Sequence, residues 1–289
     1  IAGCCSRSWS GSPRSRGDGA CAAAAVYDGN QGYRSEAGDS GTQSLRGPSG
    51  LGEYCAISGP MRYSFLVLSL LFALPGVIAV YLRADLRPAI RRTAVLSLPF
   101  ALTEFLFYPR YWEPEFLFDL VNIIGFGVED LLFVAGLGAL CVSAYPLVFQ
   151  KDIREGSAFL SRSTAARIAT LILPTAVAVV VAALLSIPMI YAAPVIMLAG
   201  AAWIWIRRND LILPSLIGSI LVTLVYAMLS LVLMWLVPGV FQLDWNTSEF
   251  LNLFVLGIPV EELLYGASAG LIGSVFYPYT TDARLVDRA

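Results

Sequence analysis

Near the end of the chain the sequence reads Gly257-Ile258-Pro259-Val260-Glu261-Glu262-Leu263-Leu264-Tyr265, and this segment determines the class of protein. It places two adjacent carboxylates in an apolar run, residues 251–279, that contains no Lys or Arg. A globular helix would turn such a pair toward water, but apolar residues lie on every side here. Ionisable groups inside a membrane-length segment are costly and indicate function. The segment therefore predicts a membrane-spanning helix with an acidic site.

A second copy of the segment lies 132 positions earlier and reads Gly125-Phe126-Gly127-Val128-Glu129-Asp130-Leu131-Leu132-Phe133. Glu129 corresponds to Glu261, and Asp130 corresponds to Glu262. The matched flanks continue, since Tyr145-Pro146 corresponds to Tyr277-Pro278. A matched acidic pair with ordered flanks is rarely a coincidence, so we predict an internal duplication with an acidic pair in each half.

The composition is that of an integral membrane protein. Hydrophobic residues make up 57% of the chain and charged residues 14%, against about 25% charged in soluble domains. The net charge of −2 argues against a nucleic-acid partner. The absence of histidine excludes histidine-based metal sites and serine–histidine catalysis, and the five cysteines have no metal-binding spacing. We therefore expect neither a metal nor a cofactor.

Residues 1–60 differ from the rest, because they are rich in Gly, Ser, Ala and Arg and cannot bury a core. We expect either a disordered tail or upstream sequence read through before a start at Met61. From Met61 onward, apolar windows of roughly 20 residues predict membrane spans. Seven spans are expected, near residues 63–82, 93–109, 123–147, 165–186, 188–206, 211–237 and 251–277.

The loop charges predict the orientation in the cell membrane. Basic residues follow the odd-numbered spans, whereas Arg110 is the one basic residue in the opposite loops. The positive-inside rule then places the N-terminus outside and the C-terminus in the cytoplasm. The two acidic spans run in the same direction, so the duplication is a parallel tandem repeat. We expect repeats at 61–150 and 188–280, a connector with span four at 151–187, and a cytoplasmic tail at 281–289.

Buried carboxyls permit acid–base chemistry. Burial away from water disfavours the charged form, so such a site can hold a proton and deliver it to a carbon–carbon double bond. A second carboxylate in an unlike environment can steady the resulting cation and later remove a proton. Adjacent residues diverge by roughly 100° on a helix, so one acid of each pair is expected to face the cavity while the other bonds elsewhere. Glu104, in span two, is a fifth intramembrane acid.

Two other interpretations of these residues stay open. Gly257 and Pro259 before Glu261 are good helix-starting chemistry, so the acidic pairs could serve only to begin helices. Trp112 and Trp245 suit an interfacial aromatic belt, or else a wall whose ring faces stabilise a cationic intermediate.

The two copies resemble the lycopene cyclase domain family, the small membrane cyclases of carotenoid synthesis. The family signature, Pro-x-Glu-Glu followed by apolar and aromatic residues, is complete at Pro259-Val260-Glu261-Glu262. The first copy departs from it, with Gly127 for Pro and Asp130 for the second Glu. The resemblance implies an isomerase that cyclises the acyclic ends of a polyene without redox chemistry or flavin.

On this interpretation the catalytic residues are Glu261, Glu262, Glu129, Asp130 and Glu104, with the intact second copy as the favoured chemical site. The residues expected to contact the substrate are Pro259, Tyr265, Phe133, Trp112 and Trp245. Membrane lipid and a hydrophobic isoprenoid are the expected partners, and the oligomeric state stays open. The alternative function is a proton-coupled transporter, or a membrane protein whose acidic pairs are structural.

Overall fold

The computed structural model describes residues 63–159 and 161–288. The expectations for residues 1–60 and for Met61 lie outside the described residues. Within them the protein is helical, and the longer helices are α1 (Ser64–Leu82), α2 (Arg87–Ser97), α4 (Val128–Val148), α5 (Arg162–Leu184), α6 (Met189–Arg207), α7 (Ile212–Leu236) and α9 (Val260–Thr280). The shorter elements are α3 (Val121–Ile124), α8 (Val240–Leu243), β1 (Lys151–Arg154), β2 (Phe254–Val255), β3 (Ile258–Pro259) and β4 (Arg284–Asp287).

Five of the described helices are long and apolar enough to cross a membrane: α1, α4, α5, α6 and α7 with the turn before it. Their outer surfaces are apolar as well, since the side chains of Tyr81, Leu184 and Ile206 are 78%, 78% and 80% exposed. Contiguous apolar surface on this scale needs lipid to cover it. The prediction of a helical, multi-pass membrane protein is therefore confirmed.

The second predicted span, 93–109, differs from the structure. The α-helix there covers Arg87–Ser97 and then continues as a 3-10 helix over Leu98–Leu106. Pro99 stands at the change, and its missing backbone N–H removes a bond of the α-helical ladder. The tighter helix carries Glu104, which is 7% exposed.

The third and seventh predicted spans begin too early. In the third predicted span, α3 ends at Ile124 and is followed by Gly125, whose φ of +86° needs glycine. The long helix α4 starts only at Val128. At the seventh, β2 and β3 form a small antiparallel hairpin whose turn includes Gly257 at φ +84°, and α9 starts after Pro259. α9 has 21 residues, but it is not among the five candidate spans. Its glycines, serines and tyrosines lower its mean hydropathy, as do the two glutamates in its first turn.

Segments far apart in the chain pair with each other at both ends of the helical bundle. At one end, β1 pairs antiparallel with β4, directly after α4 and α9. At the other end, Trp112 and Trp245 form an antiparallel bridge. Each of the two segments donates one backbone hydrogen bond to the other. Glu113 N–H donates to Asp244 O at 2.7 Å, and Asn246 N–H donates to Tyr111 O at 2.8 Å. We call these the strand end and the tryptophan end.

Close helix contacts depend on glycine, as the small residues of α4 and α9 predict. A Cβ on Gly136 would lie 2.7 Å from the backbone of Phe72 on α1, and one on Gly270 would lie 2.8 Å from Ser219 Cα on α7. Both distances are shorter than a carbon–carbon contact allows. The two acidic helices are therefore held against their neighbours at backbone distance.

An arginine at the strand end of each of α1 and α6 forms ion pairs with two aspartates. Arg83 directly follows α1 and pairs with Asp85 at 2.6 Å and with Asp152 at 2.9 Å. Arg208 directly follows α6 and pairs in the same way with Asp210 at 2.7 Å and with Asp282 at 2.8 Å. The hydrogen bond from Arg83 holds the pKa of Asp85 below its ordinary value of 3.8. Arg83 thus joins the end of α1 to the segment after α4, and Arg208 joins the end of α6 to the segment after α9.

We expect Arg83→Ala to destabilise the protein by about 2 kcal/mol. This is less than the 3–5 kcal/mol of a fully buried pair, because both aspartates stay partly exposed. Since the lowered pKa belongs to an acid, the stabilisation is present well above pH 3.8 and is lost as the pH falls below it. Thermal unfolding in detergent measures the loss, with the exposed Arg91→Ala as control. Equal unfolding temperatures for the two variants would contradict this role.

Candidate active site between the two acidic helices

Both acidic pairs lie in the first turns of their helices. Glu129 and Asp130 follow Gly127, the N-cap of α4, and Glu261 and Glu262 follow Pro259, the N-cap of α9. Negative charge at a helix N-terminus interacts favourably with the helix dipole, by about 0.3–1 kcal/mol. The helix-starting interpretation is thus correct for their position, but the contacts of the four carboxyls show more than capping.

The first acid of each pair points into the protein and bonds to backbone. Glu129 accepts a hydrogen bond from Leu117 N–H at 2.5 Å, and Glu261 accepts one from Leu251 N–H at 2.7 Å. Glu129 is 0% exposed and Glu261 is 1% exposed. In each of them, the Oε2 atom has no hydrogen-bond partner among the described residues. The two glutamates therefore fix the chain segments that precede α4 and α9.

The second acid of each pair lines a cavity of about 80 Å³ near the tryptophan end. Asp130 and Glu262 reach it from α4 and α9, as expected from their divergence on a helix. Neither Glu129 nor Glu261 is among the lining residues. Pro259, predicted to contact the substrate, is not among them either, because it starts α9.

Glu104 brings a third carboxyl to the cavity from the 3-10 helix. Its Oε1 atom accepts a hydrogen bond from Trp112 Nε1–H at 2.6 Å. Its carboxyl also lies beside that of Asp130, and the two interact. Asp130 itself accepts a bond from Gly127 N–H at 2.7 Å, which fixes it at the start of α4. The structure thus joins an acid of the 3-10 helix at Leu98–Leu106 to an acid of α4.

Glu262 has different partners. One of its oxygens accepts a hydrogen bond from Tyr226 Oη–H at 2.5 Å, and the other accepts one from Trp245 Nε1–H at 2.8 Å. Burial of this carboxyl disfavours its charged form, and the two donors act in the opposite direction. Tyr226 was not predicted from the sequence, although it lies in the middle of the uncharged α7, where a phenol hydroxyl needs a partner.

Aromatic rings form much of the cavity wall. Four of the five residues predicted to contact substrate line it: Tyr265, Phe133, Trp112 and Trp245. The centroids of the Trp112 and Trp245 rings are 5.2 Å apart, and Phe65 meets Trp112 edge-on at 4.2 Å. The two tryptophans donate hydrogen bonds inward to carboxyls, so a lipid-facing belt alone does not describe them.

No Lys or Arg is among the residues that line this cavity. Three carboxyls in one water-poor space without a cation repel one another when ionised, so at least one of them keeps a proton. A proton kept among the three carboxyls, a carboxyl held by two donors and a set of ring faces together suit general acid–base catalysis on an apolar substrate.

The comparisons with known proteins bear on the second half of the chain. No curated protein and no solved structure matches the chain. The family model described as lycopene cyclase matches residues 188–280, which contain α6, α7 and α9. The resemblance inferred from Pro259-Val260-Glu261-Glu262 is thereby confirmed, and residues 188–280 match the lycopene cyclase family.

Proposed function

We propose that the protein is a membrane-bound carotenoid-type cyclase that closes rings at the ends of an acyclic, lycopene-like polyene without redox chemistry. One observation carries the proposal. Glu104, Asp130 and Glu262 meet in a cavity walled by aromatic rings and free of lining cations, and one of them lies in the part of the chain that matches the family.

The neighbouring carboxyls of Glu104 and Asp130 are the proton donor in this account. A proton shared by the two passes to a terminal double bond of the polyene, where a C–H bond forms and a carbocation results. The cation is attacked by a second double bond of the same chain, and a ring carbon–carbon bond forms. This assignment places the acid in the first half, whereas the intact motif had favoured the second.

Glu262 is the base in the same account. Its carboxylate is held in place by Tyr226 and Trp245, and it removes a proton from the cyclised cation so that a ring double bond forms. One proton is added and one removed, so the product is an isomer of the substrate. The faces of Trp112 and Trp245 stabilise the positive charge between the two steps.

Glu129 and Glu261 act as positioning residues in this proposal. Each holds the backbone ahead of its helix, and each directly precedes a residue that lines the cavity. A shift at either glutamate would therefore move the reacting acid next to it.

The duplication belongs to the proposal. It is supported by the pairing of β1 with β4, the bridge between Trp112 and Trp245, and the matching arginine pairs after α1 and α6. All three relate similarly placed segments of the two proposed halves. We propose repeats at residues 61–150 and 188–280 with α5 as the connector, and α9 and the segment 93–109 as the remaining two of seven spans.

The orientation follows from the basic loops, with the strand end in the cytoplasm. We predict that Ser163→Cys, at the strand end, resists an impermeant thiol reagent in intact cells. Ser248→Cys, at the tryptophan end, should react readily. Both substitutions are made with the native cysteines replaced by serine, and both sites should react in permeabilised cells. The reverse pattern in intact cells would overturn the orientation.

Expression in cells that accumulate lycopene tests the function itself. We expect ring-containing carotenoids to replace the acyclic polyene. Proton flux into vesicles without any ring formation would favour the transporter instead.

A further inference from the structure

A second, larger cavity opens beside the carboxyl cavity. It encloses about 200 Å³, against about 80 Å³ for the first. The two share five lining residues: Phe100, Thr103, Phe107, Val134 and Tyr265. The two cavities therefore adjoin each other along these five residues.

The lining of the second cavity is apolar apart from hydroxyls and one thiol, and it includes no Asp, Glu, Lys or Arg. It follows α4 from Val134 to Cys141 and α9 from Tyr265 to Phe276. At 1.5 Å per residue, the α9 side extends for about 16 Å away from Glu262 toward the strand end. The cavity is thus long and apolar, and it meets the carboxyls at one end only.

Glycines in the cavity wall allow the helices around it to approach closely. Gly138 and Gly273 both line it, and a Cβ on Gly273 would lie 2.7 Å from Cys141 Cβ. The outer wall comes from α5, which contributes Leu171, Thr175 and Val179. This helix leaves most of its apolar surface exposed, so one loosely covered helix separates the cavity from lipid.

We propose that the second cavity binds the chain of an isoprenoid polyene, with one end of the molecule at the carboxyls and the rest between α4, α5 and α9. This rests on the proposed function and extends it. Since the acid site is reached from one side, a single end reacts per binding event. A product with two rings then requires the molecule to leave and return reversed.

Thr175→Trp tests the proposal, because the indole would fill the cavity from its α5 wall. The matched control is Val177→Trp on the same helix, where the side chain is 62% exposed. The measurement is the visible absorption of lycopene retained per purified, detergent-solubilised protein. We expect a loss of about 10-fold for Thr175→Trp and none for the control. Equal retention by the two variants would overturn the proposal.

A second measurement needs no bulky variant and decides the matter should Thr175→Trp fail to fold. With Cys4, Cys5, Cys21 and Cys55 replaced by serine, Cys141 is the remaining thiol and lies in the cavity wall. Lycopene should slow its alkylation by N-ethylmaleimide about 10-fold. Equal slowing by a saturated hydrocarbon of the same length, or none by lycopene, would contradict a polyene site. Protection and retention without ring formation would instead refute the cyclase and leave the binding site standing.

Discussion

Replacing Glu262 with glutamine should lower the rate of ring formation by about 10²–10⁴-fold, the contribution of a general base. An amide cannot take a proton from the cyclised cation. It also has one acceptor oxygen for the two donors, Tyr226 and Trp245, that meet the carboxylate. The measurement is turnover of lycopene by purified protein, with size-exclusion chromatography to show that the variant is folded.

The neighbouring Glu261→Gln is the matched control. Its amide oxygen can still accept the bond from Leu251 N–H, and its side chain does not reach the cavity. We expect its turnover to stay within about 10-fold of the natural protein, a loss no greater than that of a displaced positioning group. A folded Glu262→Gln that turns over as fast as Glu261→Gln would refute the assignment of the base.

Loss of the shared proton in the first half should be as severe. Glu104→Gln and Asp130→Asn should each lower turnover by about 10²–10⁴-fold, because neither amide can deliver a proton. Since the two carboxyls act as one donor, the double variant should be about as slow as either single variant. Glu129→Gln is the control, because Glu129 bonds Leu117 N–H and does not line the cavity. Losses that multiply in the double variant would show two independent roles instead.

Hydropathy predicted the helices that fill an apolar window from end to end. The span at 63–82 corresponds to α1, Ser64–Leu82, and the span at 188–206 corresponds to α6, Met189–Arg207. It failed where apolar sequence is not helical. Residues 251–259 are as apolar as a helix interior, yet Gly257 and Pro259 make them a hairpin. Average hydropathy does not register these backbone constraints.

The candidate site could be predicted only in part, because sequence periodicity describes one helix at a time. Helical periodicity indicates that one acid of each pair faces inward, and Asp130 and Glu262 do so. It gives no information on which helices lie opposite. The approach of Glu104 to Asp130, and of Tyr226 to Glu262, depends on packing between segments far apart in the chain. The repeated Arg-x-Asp-Leu at Arg83 and Arg208 is a sequence signal for the ion pairs of the strand end.

In the proposed mechanism, carboxyls within the membrane deliver a solvent-exchangeable proton to a carbon–carbon double bond. This step can be followed by turnover of lycopene by the purified protein in deuterium oxide, with mass spectrometry of the product. We expect one deuterium per ring formed, because one exchangeable proton is added and one carbon-bound proton is removed. A ring-containing product that carries no deuterium would contradict it.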